Sequence, residues 1–288
     1  MSRPDAFVCG RFTLSLDRPL IMGVVNITPD SFSDGGDFLD ATSAVAHARR
    51  LVDEGADILD LGGESSRPGS YPVSLTEEGR RVLPVLEKVV HFGVPVSVDT
   101  TKPDLMREAI ASGASIINDI TALRSPGAVE AIVDSDAGVC LMHMQGEPGN
   151  MQKAPAYDDV VAEVSAFLDQ RARCLLDSGV SASRIMLDPG FGFGKTHQHN
   201  LQLLHGLSAI AQGRFVVLAG LSRKSQLGRI TGRTDAKSRL GSSIAAALAA
   251  VSNGASIVRV HDVAETKDAL LVWQAFESSA LTSGAMQN

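Results

Sequence analysis

Eight short apolar runs, each followed by a more polar segment, are the feature of this 288-residue sequence that most restricts its fold. Most of the runs are rich in Val, Ile and Leu and do not alternate strictly between apolar and polar residues. That pattern is typical of parallel strands that are buried on both faces. The predicted strands are Leu20–Asn26, 57–61, 95–99, 115–119, 138–143, 184–188, 215–219 and 256–260.

Helical patterns fill most of the intervals between these runs. Several have start and stop signals, such as Thr76 followed by Glu77 and Glu78, and a glycine just past the end of the pattern. The predicted helices include 42–54, 76–90, Pro103–Ala111, 156–178 and 238–251.

Alternating strands and helices with eight repeats predict an α/β fold of the (β/α)8, or TIM barrel, type. A doubly wound open sheet stays as the alternative, because periodicity alone does not distinguish the two architectures. Residues 6–18 alternate weakly around Gly10, which predicts a short β-hairpin within an N-terminal segment 1–19 that closes the bottom of the barrel. We expect a single domain over residues 1–288, with a disordered tail at 279–288.

Composition and charge exclude several classes of protein. No charge-free apolar run reaches the roughly 18 residues that a membrane span needs, and the first ten residues lack the apolar core of a secretory signal. A net charge of −7 disfavours a nucleic-acid partner. Cys9, Cys140 and Cys174 lie far apart in sequence, as expected of reduced thiols in a cytoplasmic protein.

Polar side chains stand at or just after the end of each predicted strand. In a barrel these ends surround one mouth, which is where active sites of this fold are built. A single such carboxylate is more often a cap for the next helix, but a complete ring of polar residues predicts a ligand site. The ring is Asn26, Glu64 with Ser66 and Arg67, Asp99, Asn118 with Asp119, His143, Asp188, Ser222 with Arg223 and Lys224, and Arg259 with His261.

The residue types predict two kinds of ligand group. Asp99, Asn118 and Asp188 suit a planar heterocycle with several N–H donors, because a carboxylate accepts from adjacent donors. Asn26, Arg259 and His261 belong to the first and last strands, which are neighbours in a closed barrel. Two potential cations beside an amide suit a phosphate or pyrophosphate.

Three local patterns need separate interpretation. The polar stretch 28–37, with Phe32 and a Gly-Gly pair, predicts a mobile lid over the mouth. The sequence GFGFGKT at 190–196 is not a phosphate-binding loop, because Pro189 occupies the position where the first glycine is required. A transition-metal site built from His143, His261 and Asp188 is disfavoured, since no paired ligand spacing supports it.

Eight motifs, in order and across nearly the whole chain, resemble those of dihydropteroate synthase: MGVVNITPDSFSDGG, DLGGESSRPG, VSVDT, IINDI, LMHMQGEP, LDPGFGFGK, LAGLSRKS and VRVHDV. The resemblance implies a pterin-binding TIM barrel that joins 6-hydroxymethyl-7,8-dihydropterin pyrophosphate to p-aminobenzoate and releases pyrophosphate in folate biosynthesis. It also implies a cytoplasmic homodimer that uses Mg²⁺ and is inhibited by sulfonamides.

The resemblance further implies a role for each matching residue. The catalytic set would be Asn26, Asp99, Asp188, Lys224, Arg259 and His261. The pterin would contact Asp99, Asn118, Met142, Asp188 and Lys224. The pyrophosphate would contact Asn26, Arg259 and His261, with Asn26 also touching the Mg²⁺. The p-aminobenzoate and its loops would involve Phe32, Ser66, Arg67, Pro68, Phe193 and Ser222. Ser66 departs from the Thr that relatives often have, which leaves sulfonamide sensitivity open.

The chemistry agrees with these residues. An electron-rich dihydropterin can stabilise a cation at its methylene carbon, which makes an SN1-like route plausible, and a neutral aniline needs no strong base. The main alternative is a methyltetrahydrofolate:corrinoid methyltransferase, which shares the pterin-binding barrel. A barrel aldolase with Lys224 as Schiff-base nucleophile and a non-catalytic pterin-binding paralogue are further alternatives.

Overall fold

Eight parallel strands form a closed barrel in the computed structural model, which describes residues 4–28, 37–65, 69–210 and 212–284. An antiparallel hairpin of β1 (Ala6–Cys9) and β2 (Phe12–Ser15) precedes the barrel. The barrel strands are β3 (Leu20–Asn26), β4 (Ile58–Gly62), β5 (Val96–Asp99), β6 (Ile116–Asp119), β7 (Gly138–Met142), β8 (Ile185–Asp188), β9 (Val216–Ala219) and β10 (Ile257–Val260). They pair in chain order, and β10 closes the barrel against β3. The predicted TIM barrel and its N-terminal hairpin are confirmed.

Helices lie between the strands and after the last one. They are α1 (Asp37–Glu54), α2 (Leu75–Val89), α3 (Pro103–Ala111), α4 (Ala128–Val133), α5 (Val160–Asp177), α6 (His197–His205), α7 (Ser225–Thr231), α8 (Leu240–Ser252) and α9 (Val263–Gly284). The N-cap of α2 is Ser74, whose hydroxyl accepts from the Glu77 amide, so this helix begins one residue before the prediction. Helix α9 runs to Gly284 and therefore includes part of the predicted tail at 279–288.

The hairpin closes the barrel at the amino-terminal ends of its strands. Phe7 and Cys9 are fully buried and belong to a cluster with apolar side chains from seven barrel strands. A Cβ added at Gly138, where β7 begins, would lie 2.6 Å from the Phe7 ring and 2.9 Å from the Cys9 Cβ. Gly138 is therefore needed for the strand to pass the hairpin this closely. The barrel residues of this bottom cluster are Leu20, Met22, Ile58, Ile116, Cys140, Met186, Val216, Leu218 and Ile257.

Alternation along each strand decides what faces the barrel interior. In β4, Ile58 belongs to the bottom cluster, while Leu59 and Leu61 pack outward in the layer that the helices cover. Asp60 and Gly62, which have the same parity as Ile58, therefore face inward nearer the mouth. Strand register brings the mouth positions side by side, because Asn26 pairs with Gly62, Gly62 with Asp99 and Asp99 with Asn118.

Among the described residues, no helix is both long enough and apolar enough to cross a membrane.

Candidate active site

The structure brings the predicted residues of the barrel mouth together. Asn26, Asp99, Asn118, Met142 and Asp188 end or nearly end their strands at one level of the barrel. Lys224, Arg259 and His261 come from the last two strands and the loops that follow them. These groups share one largely buried space, where their charges influence one another strongly.

Asp188 stands at the end of β8, and its two carboxylate oxygens have different roles. Oδ1 accepts a hydrogen bond of 2.7 Å from the amide of Gly190, which ties the carboxylate to the loop that follows. The side chain is buried, and burial raises its pKa, while the charges of Lys224, Lys195 and Arg259 oppose that rise. The second oxygen is then available for N–H donors of a ligand.

Asp60 is a member of the site that the sequence analysis missed. It is completely buried in β4, where Oδ2 accepts from Arg259 Nε at 2.7 Å and from Asn118 Nδ2 at 3.4 Å. Its Oδ1 is buried and has no hydrogen-bond partner among the described residues. Site residues were predicted only at strand ends, whereas Asp60 lies inside a strand. The available signal was a charged residue within an apolar run, two positions from the inward-facing Ile58.

Arg259 joins the two parts of the site that the sequence analysis treated separately. Besides Asp60, it approaches Asp99, with Nη2 lying 3.5 Å from Oδ2. Burial alone would lower the pKa of Arg259, but the carboxylates of Asp60 and Asp99 raise it above its usual value. Burial raises the pKa of Asp99, the charge of Asp60 adds to this, and Arg259 opposes it. Without ligand, the predicted anion-binding cation is thus paired with predicted pterin-binding groups.

Lys224 and Phe193 form the wall beside Asp188. The Lys224 ammonium lies 4.3 Å from the centre of the Phe193 ring, within cation–π distance. Burial lowers the pKa of Lys224 to about 8, and the charge of Asp188 opposes that shift. Phe193 also belongs to a small apolar cluster with Ile120, Met142, Met144 and Met151. Phe193 was predicted to lie near p-aminobenzoate. In the structure it lies beside Met142 and Lys224, which were predicted to contact the pterin.

Ser222 and His261 are in direct contact at the other side of the mouth. Ser222 Oγ lies 3.0 Å from His261 Nδ1 and accepts a 3.3 Å hydrogen bond from the His261 amide. The hydroxyl therefore fixes the orientation of the imidazole. Ser222 was predicted for p-aminobenzoate and His261 for pyrophosphate, so the two predicted subsites meet at this pair.

A family model described as pterin binding enzyme matches residues 22–261. The dihydropteroate synthase of Neisseria meningitidis serogroup C is 54% identical over 270 residues, which is 92% of this chain and 95% of that protein. The family match contains the barrel strands apart from Leu20 and Ile21, and it includes every residue of the mouth described above.

This chain belongs to the dihydropteroate synthase family.

Solved dihydropteroate synthases have the same fold. The Xanthomonas albilineans enzyme, determined with 4-aminobenzoic acid, has a TM-score of 0.90 and 51% identity over 95% of this chain and 98% of that one. The Burkholderia cenocepacia dihydropteroate synthase, complexed with 7,8-dihydropteroate, has a TM-score of 0.89 and 48% identity over 98% of this chain and 100% of that one.

Two of the polar residues predicted to surround the mouth, Asp119 and Arg223, form local contacts instead. The Asp119 carboxylate accepts from the amides of Thr121 and Leu123 and from the Thr121 hydroxyl, so it caps the turn after β6. Arg223 has a positive φ of 59° and pairs with Asp262 at the start of α9. These two residues have local structural roles.

Several predicted positions cannot be compared with the structure. Phe32, Ser66, Arg67 and Pro68, and the predicted lid at 28–37 apart from its first and last residues, lie outside the described residues. The described part of the chain contains no group of three or more His, Cys, Asp or Glu residues arranged to hold a metal ion.

Proposed function

We propose that this chain condenses 6-hydroxymethyl-7,8-dihydropterin pyrophosphate with p-aminobenzoate, giving 7,8-dihydropteroate and pyrophosphate. The observation that carries the proposal is a single buried mouth that combines hydrogen-bond acceptors with cations, in a chain of the dihydropteroate synthase family. The relatives solved with 4-aminobenzoic acid and with 7,8-dihydropteroate support these substrates.

The pterin binds against Asp99, Asn118, Met142, Asp188 and Lys224 in this proposal. Asp188 keeps one oxygen on the Gly190 amide and offers the other to ring N–H groups. Met142 is 3% exposed and lies in the apolar cluster, where its side chain can pack on the flat face of the ring. Lys224 then reaches a polar edge of the ring.

The pyrophosphate binds at Asn26, Arg259 and His261. Arg259 is shared between two carboxylates before the substrate arrives, so an incoming pyrophosphate competes with Asp99 for its guanidinium. Ser222 holds His261 in place to donate toward the leaving group. Positive charge at this position stabilises the negative charge that develops as the pyrophosphate leaves.

Mg²⁺ is compatible with this set of residues. Mg²⁺ usually keeps several waters and binds through one or two protein oxygens together with substrate phosphates. The amide oxygen of Asn26 suits such a site. A Cβ built at Gly62 would lie in van der Waals contact with it, at 3.8 Å, so the glycine leaves this side of the oxygen without a covering side chain. When bound there, Mg²⁺ would supply further neutralisation of the pyrophosphate.

The reaction follows an SN1-like route in our proposal. The C–O bond between the pterin methylene and pyrophosphate breaks, and its electron pair leaves with the pyrophosphate. The resulting cation is delocalised over the dihydropterin ring, beside Asp99 and Asp188. The aniline nitrogen then forms the new C–N bond and loses a proton. Residues Phe32, Ser66, Arg67, Pro68, Phe193 and Ser222 surround the p-aminobenzoate, and sulfonamides would compete for the same place.

A homodimer is also part of the proposal. Helix α9 exposes Leu271, Val272 and Phe276, the last with 71% of its surface accessible, and a second copy of the chain would cover such a face. Light scattering should give twice the chain mass, and Phe276→Lys should shift the population toward the monomer. We also propose a cytoplasmic location, in keeping with three free cysteines.

Pyrophosphate release in the presence of Mg²⁺ and dihydropterin pyrophosphate tests the proposed activity. Release should depend on p-aminobenzoate, and dihydropteroate should form in equal amount. A corrinoid methyltransferase, an aldolase or a non-catalytic pterin-binding protein would give no such dependence.

A further inference from the structure

Lys195 is a buried cation that the proposed reaction does not use. It follows β8 in the loop before α6 and is only 2% exposed. Its Nζ contacts His143 Nδ1 at 2.9 Å and the carbonyl oxygens of Phe193, Gly190 and His143 at 2.9, 3.0 and 3.3 Å. Among the residues that the structure describes, no carboxylate forms a salt bridge with it. Placing an ammonium group in a buried site without a counter-ion is costly, so its surroundings require an explanation.

Three carbonyl oxygens converge on the ammonium group. They belong to two loops, one beginning at His143 after β7 and the other containing Gly190 and Phe193 after β8. Carbonyl dipoles that point at one another repel unless a cation lies between them. Burial lowers the pKa of Lys195 to about 7, and the charge of Asp188 opposes that shift. The carbonyl oxygens accept hydrogen bonds from the protonated form.

The imidazole of His143 completes the site as an acceptor. Burial lowers the pKa of His143 to about 3, and the charge of Lys195 acts in the same direction. The ring is therefore neutral, and Nδ1 accepts from the ammonium. Phe167 contacts the His143 ring edge-on with centroids 5.0 Å apart, which fixes the ring plane.

The two loops touch at the point where Lys195 lies. A Cβ added at Gly190 would lie 2.0 Å from the His143 carbonyl oxygen, and one at Gly194 would lie 2.3 Å from the Gln145 carbonyl oxygen. Both glycines have positive φ, of 68° and 61°. The contact therefore depends on backbone atoms, and Lys195 supplies the side chain that holds them together.

The walls of the predicted pterin pocket are attached directly to these atoms. Met142 immediately precedes His143, and the Phe193 carbonyl oxygen accepts a hydrogen bond from the Lys195 ammonium group. Asp188 is linked to the same group because its Oδ1 accepts from the Gly190 amide. A movement of either loop would displace the apolar cluster of Met142 and Phe193 and would also turn the Asp188 carboxylate.

We propose that Lys195 is a positioning residue for pterin binding, whose ammonium group holds the loops after β7 and β8 at the spacing that the flat ring requires. The inference rests on the proposed function, since it assigns the pterin to this pocket. It also gives a role to the GFGFGK segment, in which the lysine points at the loop backbone and not at a phosphate.

Calorimetry with an uncharged pterin, 6-hydroxymethylpterin, tests this role in the full-length protein. Lys195→Met should weaken pterin binding at least tenfold, measured well below the melting temperature of the variant. Lys195→Gln, which keeps two neutral N–H donors, should bind with intermediate affinity and decides the question if the methionine variant does not fold. Wild-type affinity in either folded variant would overturn the proposal, even if the melting temperature fell.

Tyr157→Phe is the matched control for loss of stability. It removes a 2.8 Å hydrogen bond from the Tyr157 hydroxyl to the Gly194 carbonyl, in the same loop, and leaves the contacts of Lys195 in place. It should lower the melting temperature without changing pterin affinity. An equal loss of affinity in Tyr157→Phe and Lys195→Met would reduce Lys195 to a purely structural role. Failure of the wild-type protein to bind the pterin would refute the proposed function instead.

Discussion

The bottom and the mouth of the barrel interior are built on the same strands but contain opposite kinds of side chain. In β4, Ile58 packs against the N-terminal hairpin, and Asp60, two residues later, forms a buried ion pair with Arg259. In β10, Ile257 and Arg259 repeat the pattern. The same alternation points residues inward at the bottom and at the mouth. The two ends of the barrel interior therefore differ only in the kind of side chain at the inward-facing positions.

Because of this difference, we expect the bottom to contribute mainly to stability and the mouth mainly to ligand binding. Each fully buried apolar side chain at the bottom stabilises the fold by about 1.5–3 kcal/mol. Charged groups at the mouth give up hydration, and a buried ion pair often does no more than offset that cost. The mouth also contains a buried carboxylate oxygen, Asp60 Oδ1, that has no hydrogen-bond partner among the described residues, so the mouth adds less to stability than the bottom does.

A large truncation at the bottom should have the greatest effect on stability. Phe7→Ala removes a fully buried ring from the hairpin and should lower the free energy of unfolding by about 3–5 kcal/mol. Urea unfolding measures this change. The kcat/KM of the folded fraction should stay within about twofold of wild type, since the ring packs among the apolar side chains of the bottom cluster. A large loss of activity with unchanged stability would contradict the assignment of stability to the bottom and of binding to the mouth.

Loss of the shared cation should have the largest effect on function. Arg259→Met should lower kcat/KM for the pyrophosphate substrate by a hundredfold or more, equivalent to roughly 3 kcal/mol. Binding of an uncharged pterin should weaken much less. Steady-state kinetics and calorimetry separate the two effects, and equal losses for both ligands would contradict an anion-binding role.

Removal of a mouth carboxylate should stabilise the free protein at high pH. Because the pKa of Asp99 is raised in the folded state, the folded protein holds a proton that the unfolded chain has lost. Wild-type stability should therefore fall as pH rises from about 4 toward the raised value, by about 1.4 kcal/mol for each pKa unit. Asp99→Asn should show a smaller fall, because Asp188 and Asp119 also have raised pKa values and still titrate, and its pterin affinity should decrease. Parallel pH profiles of unfolding free energy for both proteins would exclude this explanation.

The smallest effect on use of the pyrophosphate substrate is expected for a hydroxyl that orients a neighbouring pyrophosphate-binding side chain. Ser222→Ala removes the hydroxyl that orients His261 and should raise KM for the pyrophosphate substrate by roughly five- to tenfold, or about 1 kcal/mol. Stability should change little, since the hydroxyl lies at the mouth. An unchanged KM would mean that the imidazole is oriented by other contacts.

Strand positions could be predicted closely from the sequence because buried parallel strands leave an unmistakable apolar pattern. Leu20–Asn26 agrees at both ends, and the other seven runs agree within one residue. The glycines just past the helices, among them Gly55 and Gly113, were predicted from helix stop signals, and both have the positive φ that is common at a helix end.

Contacts between strands could not be predicted in the same way. The pairing of Arg259 with Asp60 joins residues 199 positions apart, and only the closed barrel brings them together. Lys195 received no role from the sequence once the GFGFGKT segment was rejected as a phosphate-binding loop. The convergence of carbonyl groups around it depends on loop geometry that the sequence does not encode locally. Asp119 was predicted to belong to the ligand site because it stands at a strand end. Its carboxylate oxygens instead accept hydrogen bonds from the turn that follows.

The free energy of unfolding and the pterin dissociation constant of Asp188→Asn, measured together, test the central claim most directly. Asparagine can keep the acceptor for the Gly190 amide but replaces the second acceptor with a donor. The claim that mouth groups serve binding predicts unchanged or increased stability without ligand, and a pterin dissociation constant at least tenfold higher. Reduced stability with unchanged pterin affinity would show that Asp188 is a structural cap, and would contradict the division between a stabilising bottom and a binding mouth.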